Sequence, residues 1–265
     1  MPTIRAAKVI LATGGKSLPK TGSDGHGYDI ARDLGHSITP RVFPGLVPLT
    51  LPKSHWICAL SGVSANATIE VRSGTGKKLH AFTDSTLCTH FGLSGPAVLD
   101  ISRYFIEARM DDPSTQLSIN WLPQHSLEAV DSALQTLGKI SPGRWLREFQ
   151  AQGLPDRLAK SLCEQSSVDP TAPAHQLTRE KRKALATMIT STPLPITGDR
   201  GFAHAEVTAG GIPLSEIRLE TMESRICPGL YLCGEICDVD GRIGGYNFQW
   251  AWASGFVAGT AVVSL

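Results

Sequence analysis

Residues 230–247 read LYLCGEICDVDGRIGGYN, an apolar run, an acidic loop and a double glycine in direct succession. We predict that residues 230–233 form a buried strand that ends at Gly234. A long helix is predicted from about residue 246 to 263, and its many small residues favour close packing on a sheet. A helix start offers free N–H groups and a partial positive charge. The stretch therefore predicts a ligand-binding turn between the end of a strand and the start of a helix.

Two more double glycines follow strand-like runs elsewhere in the chain. Residues 6–13 are an apolar run before Gly14-Gly15, and residues 203–208 lead into Gly210-Gly211. Glycine at the carboxyl end of a strand lets a ligand approach the backbone, where open α/β sheets bind ligands. From the residues alone, a plain tight turn also explains the first pair, and a β-bulge or bend also explains the second pair.

The double glycine before the long helix suits a flavin. Reduction places negative charge on the pyrimidine side of the flavin ring, so a helix start aimed at that side stabilises the reduced form. The acidic residues before the helix suit hydrogen bonds from ribityl hydroxyls, although solvent-exposed carboxylates would also explain them.

Between these glycine-rich turns, the sequence pattern changes first to short strands and then to helices. Short runs separated by turn residues favour antiparallel strands in a small sheet or barrel, at residues 46–51, 67–71 and 79–83. Residues 126–189 have helical spacing instead. Helix starts are predicted near Ser126, Arg144, Pro155 and Thr178. The chain thus begins and ends with a strand–helix pattern typical of α/β domains, as expected when other domains are inserted into a nucleotide-binding domain.

Composition narrows the classes of function. A formal net charge of +1 over 265 residues gives no electrostatic case for nucleic acid or an anionic membrane. The basic residues at 179–183 have no interleaved aromatic residues, which favours a solvated helix face. Cys233 and Cys237 lack redox or zinc spacing, so reduced thiols are favoured over a redox pair. No apolar run reaches the length of a membrane span. We therefore expect a cytoplasmic protein that binds neither nucleic acid nor membranes.

Several motifs, in this order, resemble the HI0933-like flavoprotein family, the bacterial FAD/NAD(P)-dependent oxidoreductases that include the BaiN-type enzymes. They are VILATGG at 9–15, PKTGSDGHGYDIARDLGH at 19–36, FPGLVPL at 43–49, THFGLSGPAVLDIS at 89–102, AEVTAGGI at 205–212 and GEICDVDGRIGGYNFQWAWASG at 234–255. The resemblance covers essentially the whole chain. It implies hydride transfer from NAD(P)H through FAD to an electron-poor small molecule such as an enone.

The resemblance also implies a fold, an α/β FAD-binding Rossmann-like domain that is incomplete and carries an inserted β-barrel-like domain and a small helical domain. The expected bounds are 1–44 and 213–265 for the FAD-binding part, 45–122 and 193–212 for the β-rich part, and 123–192 for the helical part.

The implied cofactor site draws on all three glycine-rich turns. Its residues are Thr13, Gly14, Gly15, Gly210, Gly211, Gly234, Glu235, Asp240, Gly244, Gly245, Tyr246 and Asn247. His90 and Ser94 would border the substrate pocket, although a structural role explains His90 equally well. Tyr246 and His90 are the candidates for a proton donor, and no metal site is expected.

One departure from the family pattern bears on activity. The family begins with a GxGxxG strand–turn–helix unit that binds the pyrophosphate, and no such unit is found in this sequence. We therefore expect an FAD site reduced to its flavin-ring end. The alternative is a catalytically inactive remnant or binding module that does not hold FAD alone, because the helix-start anion site supplies much of the affinity for a dinucleotide.

Overall fold

The computed structural model describes residues 4–149 and 153–264, which divide into two compact units. Unit 1 contains the residues up to Val47 and those from Arg200 onward. Unit 2 is Pro48–Asp199. The expected three-part domain division stays a prediction.

The described chain forms eight α-helices and thirteen strands. The helices are α1 (His26–Asp33), α2 (Trp56–Ala59), α3 (Pro96–Asp111), α4 (Leu127–Thr136), α5 (Pro142–Glu148), α6 (Asp156–Gln165), α7 (Arg179–Thr190) and α8 (Tyr246–Ser264). The strands are β1 (Val9–Leu11), β2 (Phe43–Gly45), β3 (Leu49–Thr50), β4 (Ser64–Arg72), β5 (Lys78–Thr89), β6 (Gly92–Ser94), β7 (Gln116–Asn120), β8 (Thr192–Leu194), β9 (Gly198–Asp199), β10 (Val207–Ala209), β11 (Ile217–Arg218), β12 (Glu223–Ser224) and β13 (Leu230–Leu232). None of the described helices is both long enough and apolar enough to cross a membrane.

Unit 1 is built on a four-stranded sheet in the order β1-β13-β12-β11. The apolar runs of β1 and β13 pair in parallel, with Ile10 opposite Tyr231. Tyr231 and Leu232 are fully buried, and α8 packs on the same core through Ala258. β2 and β10 form a separate antiparallel pair. The carboxyl ends of the two parallel strands therefore lie side by side, as the α/β prediction requires.

Two strand predictions in unit 1 were too long. β1 covers only part of residues 6–13, because its partner β13 is itself three residues long. The start of residues 203–208 belongs instead to a short 3-10 helix, Phe202–His204, which precedes β10. That turn forms because the Phe202 carbonyl accepts hydrogen bonds from the N–H groups of Ala205 and of Leu18.

Unit 2 contains an open seven-stranded sheet in the order β8-β7-β4-β5-β6-β3-β9. Its outer strands β8 and β9 do not pair with each other in the described chain, so the predicted barrel is not confirmed. The helical segment α4–α7 shares one apolar core with this sheet. The four helices of this segment begin within two residues of the predicted starts. At two of these starts, Ser126 and Thr178 accept hydrogen bonds from the N–H groups of Ala129 and Lys181.

Candidate functional site

A cavity of about 670 Å³ opens in unit 1 at the carboxyl ends of β1 and β13. Two of the three glycine-rich turns line it. The predicted site residues on its wall are Gly14, Gly234, Glu235, Gly244, Gly245 and Asn247. Its size lies within the range of small-molecule and cofactor sites.

The turn after β1 brings backbone to the cavity wall. Gly14 has a φ of +73°, a left-handed conformation that favours glycine, and a Cβ there would lie 2.8 Å from the Ser23 hydroxyl. Thr13 points elsewhere, since its hydroxyl occupies the space beside Gly27 of α1. Gly15 lies against Thr208 and Glu235, and a Cβ there would meet the Thr208 hydroxyl at 2.5 Å.

Thr208 connects the three turns. Its hydroxyl oxygen accepts hydrogen bonds from the N–H groups of Lys16 (2.7 Å) and Ser17 (3.0 Å). Its own N–H donates to Glu235 Oε1 at 2.9 Å. Residues nearly two hundred positions apart are thus held together next to the cavity. Thr208 and Ser17 were not among the predicted site residues, and the only sequence signal for Thr208 was its position just before Gly210-Gly211.

Glu235 is a predicted site residue whose carboxyl group lies in a partly buried position on the cavity wall. Burial raises the pKa of its carboxyl above the ordinary value, although the hydrogen bonds from Thr208 act in the opposite direction. Part of its hydrogen-bonding capacity is used to hold Thr208. Glu235 therefore fixes the geometry of the turns as well as facing the cavity.

Two side chains of α8 hold the end of β13. Gly234, with φ +76°, donates its N–H to Ser254 Oγ at 2.9 Å, and its carbonyl accepts from Trp250 Nε1 at 3.0 Å. Ser254 is buried. A Cβ at Gly234 would lie 3.9 Å from Ala251 Cβ, an ordinary contact, so only the positive φ of this residue favours glycine.

The start of α8 is fixed by Asn247. Its side chain accepts from the Gly241 N–H (2.7 Å) and donates to the Gly241 carbonyl (3.0 Å). Gly244 and Gly245 have φ of +113° and +90°, and a Cβ at Gly245 would meet nothing within 4 Å. The acidic loop is thereby clamped so that the helix start lies on the cavity wall.

The other predicted residues of this loop and of the second double glycine lie off the cavity wall. Tyr246 is half exposed, and its hydroxyl accepts from Arg242 at 2.8 Å. Asp240 is not among the lining residues. Gly210 and Gly211 are buried, and Gly211 donates its N–H to the Thr39 hydroxyl at 2.8 Å. Their assignment to a cofactor stays a prediction.

Apolar side chains that no sequence pattern indicated complete the cavity wall. Leu46 and Phe248 line the cavity together with the Cys233 side chain. Burial raises the pKa of the Cys233 thiol above its ordinary range and that of the Cys237 thiol to about 12. Both thiols keep their protons at neutral pH, so neither provides a thiolate nucleophile there.

His90 and Ser94 belong to unit 2. His90 is exposed in the turn between β5 and β6, with its ring edge-on to Phe91 at 5.1 Å between centroids. Ser94 is the last residue of β6. Their place beside a substrate pocket stays a prediction.

A family model, described as the HI0933-like protein Rossmann domain, matches residues 1–261. The chain is 37% identical over 264 residues to a ribosomal RNA dihydrouridine synthase of Escherichia coli, a match that spans 99% of this chain and 62% of that protein. It is 37% identical over 256 residues to a 3-dehydro-bile acid delta(4,6)-reductase of Clostridium scindens, spanning 97% and 62%. A ribosomal RNA dihydrouridine synthase of Haemophilus influenzae is 36% identical over 256 residues, spanning 96% and 60%. The chain thus spans less than two thirds of the length of these relatives.

Proposed function

The chain belongs to the HI0933-like family, whose Rossmann domain is of the FAD-binding type, and on that premise we propose that it forms the flavin-ring end of an FAD site in an oxidoreductase. The observation that carries the proposal is the cavity, on whose wall two glycine turns and the start of α8 meet. NAD(P)H is the proposed source of electrons.

The residues present fit a flat ring laid against backbone. Gly245 has a positive φ, and a Cβ there would meet open space instead of protein. A ligand can therefore approach the backbone of Gly245 closely. Leu46 and Phe248 supply apolar walls for an aromatic ring.

Bound FAD would supply the hydride chemistry, while the protein orients and stabilises it. The start of α8 places a partial positive charge on the cavity wall, which stabilises negative charge on the reduced ring. Asn247 keeps that helix start in position through its two hydrogen bonds to Gly241. Glu235, whose carboxyl pKa is raised by burial, and Cys233, whose thiol pKa is raised for the same reason, both lie on the wall of this cavity. Tyr246 and His90 remain the weaker candidates for a proton donor.

The names of the relatives suggest a shared substrate chemistry. Forming dihydrouridine saturates the C5=C6 bond of uracil, which is conjugated with the C4 carbonyl. A delta(4,6)-reductase acting on a 3-dehydro compound saturates double bonds conjugated with a ketone. We therefore propose an electron-poor carbon–carbon double bond conjugated with a carbonyl, such as an enone, as the substrate class.

Uridine in ribosomal RNA is a second candidate substrate, because two of the similar proteins are ribosomal RNA dihydrouridine synthases. The near-neutral charge of the chain favours the small molecule, since RNA binding generally relies on a basic surface. A third possibility is a module that keeps the fold without holding FAD alone.

Flavin retention separates an enzyme from a non-catalytic module. The purified chain is mixed with FAD, desalted and examined for flavin absorbance that stays with the protein. We expect retained flavin, which anaerobic NADH or NADPH then bleaches. A colourless protein after desalting would contradict the proposal for this chain.

Substrate choice is tested on the reduced, flavin-loaded protein. One arm contains a 3-keto-4,6-diene steroid and the other contains ribosomal RNA that lacks dihydrouridine. We expect the enone arm to reoxidise the flavin. Reoxidation by the RNA alone, with dihydrouridine formed, would assign the second substrate instead.

A further inference from the structure

Leu18 lies on the cavity wall in a backbone conformation that leucine rarely adopts. Its φ is +50° and its ψ is +58°, which is the left-handed region. A residue with a Cβ is strained there, whereas glycine is not. Glycine would make the same turn without that strain, which points to a role for the leucine side chain.

Three hydrogen bonds hold Leu18 in this conformation. Its N–H donates to the Phe202 carbonyl at 2.9 Å, and its carbonyl accepts from the N–H and the hydroxyl of Thr21, both at 2.8 Å. Because Phe202 lies far along the chain, the surrounding fold imposes the conformation together with the local turn. The backbone that carries the side chain is therefore fixed before any ligand binds.

The Leu18 side chain is left open at the rim of the cavity. Leu18 is 47% exposed, and residues 18–22 are all exposed. Leu46 also lines the cavity with a φ of +48°, but it is 4% exposed and lies between the buried Gly45 and Val47. A buried wall suits a cofactor that stays bound, whereas an exposed rim suits a ligand that enters and leaves.

Strained residues concentrate at this cavity. Among the described residues of unit 1, three residues other than glycine have positive φ, namely Leu18, Leu46 and Met222. The first two line the cavity, and Met222 lies buried in the turn between β11 and β12. Backbone strain of this kind clusters at binding sites, where the rest of the fold holds it in place.

We propose that Leu18 is a specificity-determining residue of the flavin site, selecting enones with an apolar multi-ring carbon skeleton over small polar ones such as uracil. The inference rests on the proposed function, because it requires the flavin ring to occupy the same cavity. An apolar ligand covers the open Leu18 side chain and removes its surface from water, which stabilises the complex. A uracil ring is small and carries polar groups around its edge, so it gains little from this contact.

Equilibrium dialysis against the oxidised, riboflavin-saturated chain tests this role without requiring turnover. The probes are a 3-keto-4,6-diene steroid and uridine. Leu18→Asn replaces the apolar side chain by a polar one of similar size, and asparagine tolerates the left-handed conformation. Leu219→Asn is the matched control, because Leu219 is 48% exposed in unit 1 and is not among the residues that line the cavity.

The wild type should bind the steroid more tightly than uridine. We expect Leu18→Asn to lower that preference about tenfold by weakening the steroid alone, because an apolar contact of a leucine is lost. Riboflavin binding should be unchanged, which also shows that the variant is folded. Leu18→Met, which keeps a flexible apolar side chain, and Leu219→Asn should both bind the steroid as the wild type does.

Leu18→Gly covers a failure of Leu18→Asn to fold, because glycine makes the turn without strain. It should weaken the steroid and leave riboflavin binding intact. Unchanged steroid affinity in these two variants, or no steroid binding by the riboflavin-loaded wild type, would overturn the assignment of Leu18. Equal weakening of riboflavin and steroid by Leu18→Gly would place Leu18 against the flavin ring and would also overturn it. A wild-type chain that binds no riboflavin would instead refute the proposed function, and this inference with it.

Discussion

At the residue scale, the site depends on glycines whose backbone faces space instead of protein. Gly245 and Gly62 have nearly equal φ, +90° and +88°, and a Cβ at either would meet nothing within 4 Å. Only Gly245 lines the cavity. The two positions therefore separate the cost of backbone strain from a role in binding.

Replacing either glycine with alanine should reduce the free energy of unfolding by a similar amount, about 1–2 kcal/mol, because an L-residue is strained at positive φ. Denaturant unfolding of Gly245→Ala and Gly62→Ala measures this. A much larger loss for Gly245→Ala would mean that its surroundings are packed, contrary to the open space that the structure gives it.

Glu235 should make stability depend on pH. Burial raises the pKa of its carboxyl above the ordinary 4.5. The folded state then binds the proton more tightly than the unfolded state, so the contribution is fully present below pH 4.5 and is lost as the pH rises through the raised pKa.

Glu235→Gln removes the titrating group while its amide oxygen can still accept the Thr208 N–H. Relative to the wild type, the variant should therefore gain stability as the pH rises through that window. Denaturant unfolding of both proteins between about pH 4 and pH 8 measures the difference. If the free energies of unfolding of the two proteins change with pH in the same way, the raised pKa of Glu235 is contradicted.

At the element scale, α8 locks the end of β13 through a buried hydroxyl. Ser254 Oγ accepts from the Gly234 N–H and donates to the Trp250 carbonyl at 2.6 Å. The sequence predicted a small-residue helix from Tyr246 but not this contact, because the pairing of Ser254 with Gly234 depends on where the sheet places the strand end.

Ser254→Ala should lower the free energy of unfolding by about 1–3 kcal/mol, because it leaves the buried Gly234 N–H without its partner. Ser132→Ala on the exposed side of α4 is the matched control, with an expected change within about 0.5 kcal/mol. Denaturant unfolding of the two variants decides between these outcomes. Equal small losses would mean that Ser254 does not hold the strand end.

The helices were easier to predict than the strands. Ser126 and Thr178 mark helix starts by local capping hydrogen bonds, which the sequence itself displays. β11 and β12 are two residues long and were not predicted, because such short strands are set by their partners and not by a repeating pattern. The predicted barrel is not confirmed, and nothing in the local sequence pattern specifies whether β8 and β9 pair.

At the scale of the whole molecule, the site residues that the sequence singled out divide into two groups. Residues at the ends of β1 and β13 and at the start of α8 share one cavity. Gly210 and Gly211 also follow a strand, but β10 pairs with β2 outside the main sheet, so their turn packs against Thr39. A double glycine after a strand indicates that another group lies close to the backbone there. It does not indicate whether that group is a ligand or another part of the protein.

The central claim is that the cavity in unit 1 receives the flavin ring. Riboflavin carries the ring without the adenosine half, so titrating it against the 265-residue chain and following its fluorescence tests the claim most directly. We predict saturable quenching that Gly62→Ala preserves and Gly245→Ala abolishes. No saturable quenching by the wild-type chain, or the same quenching by both variants, would contradict the account.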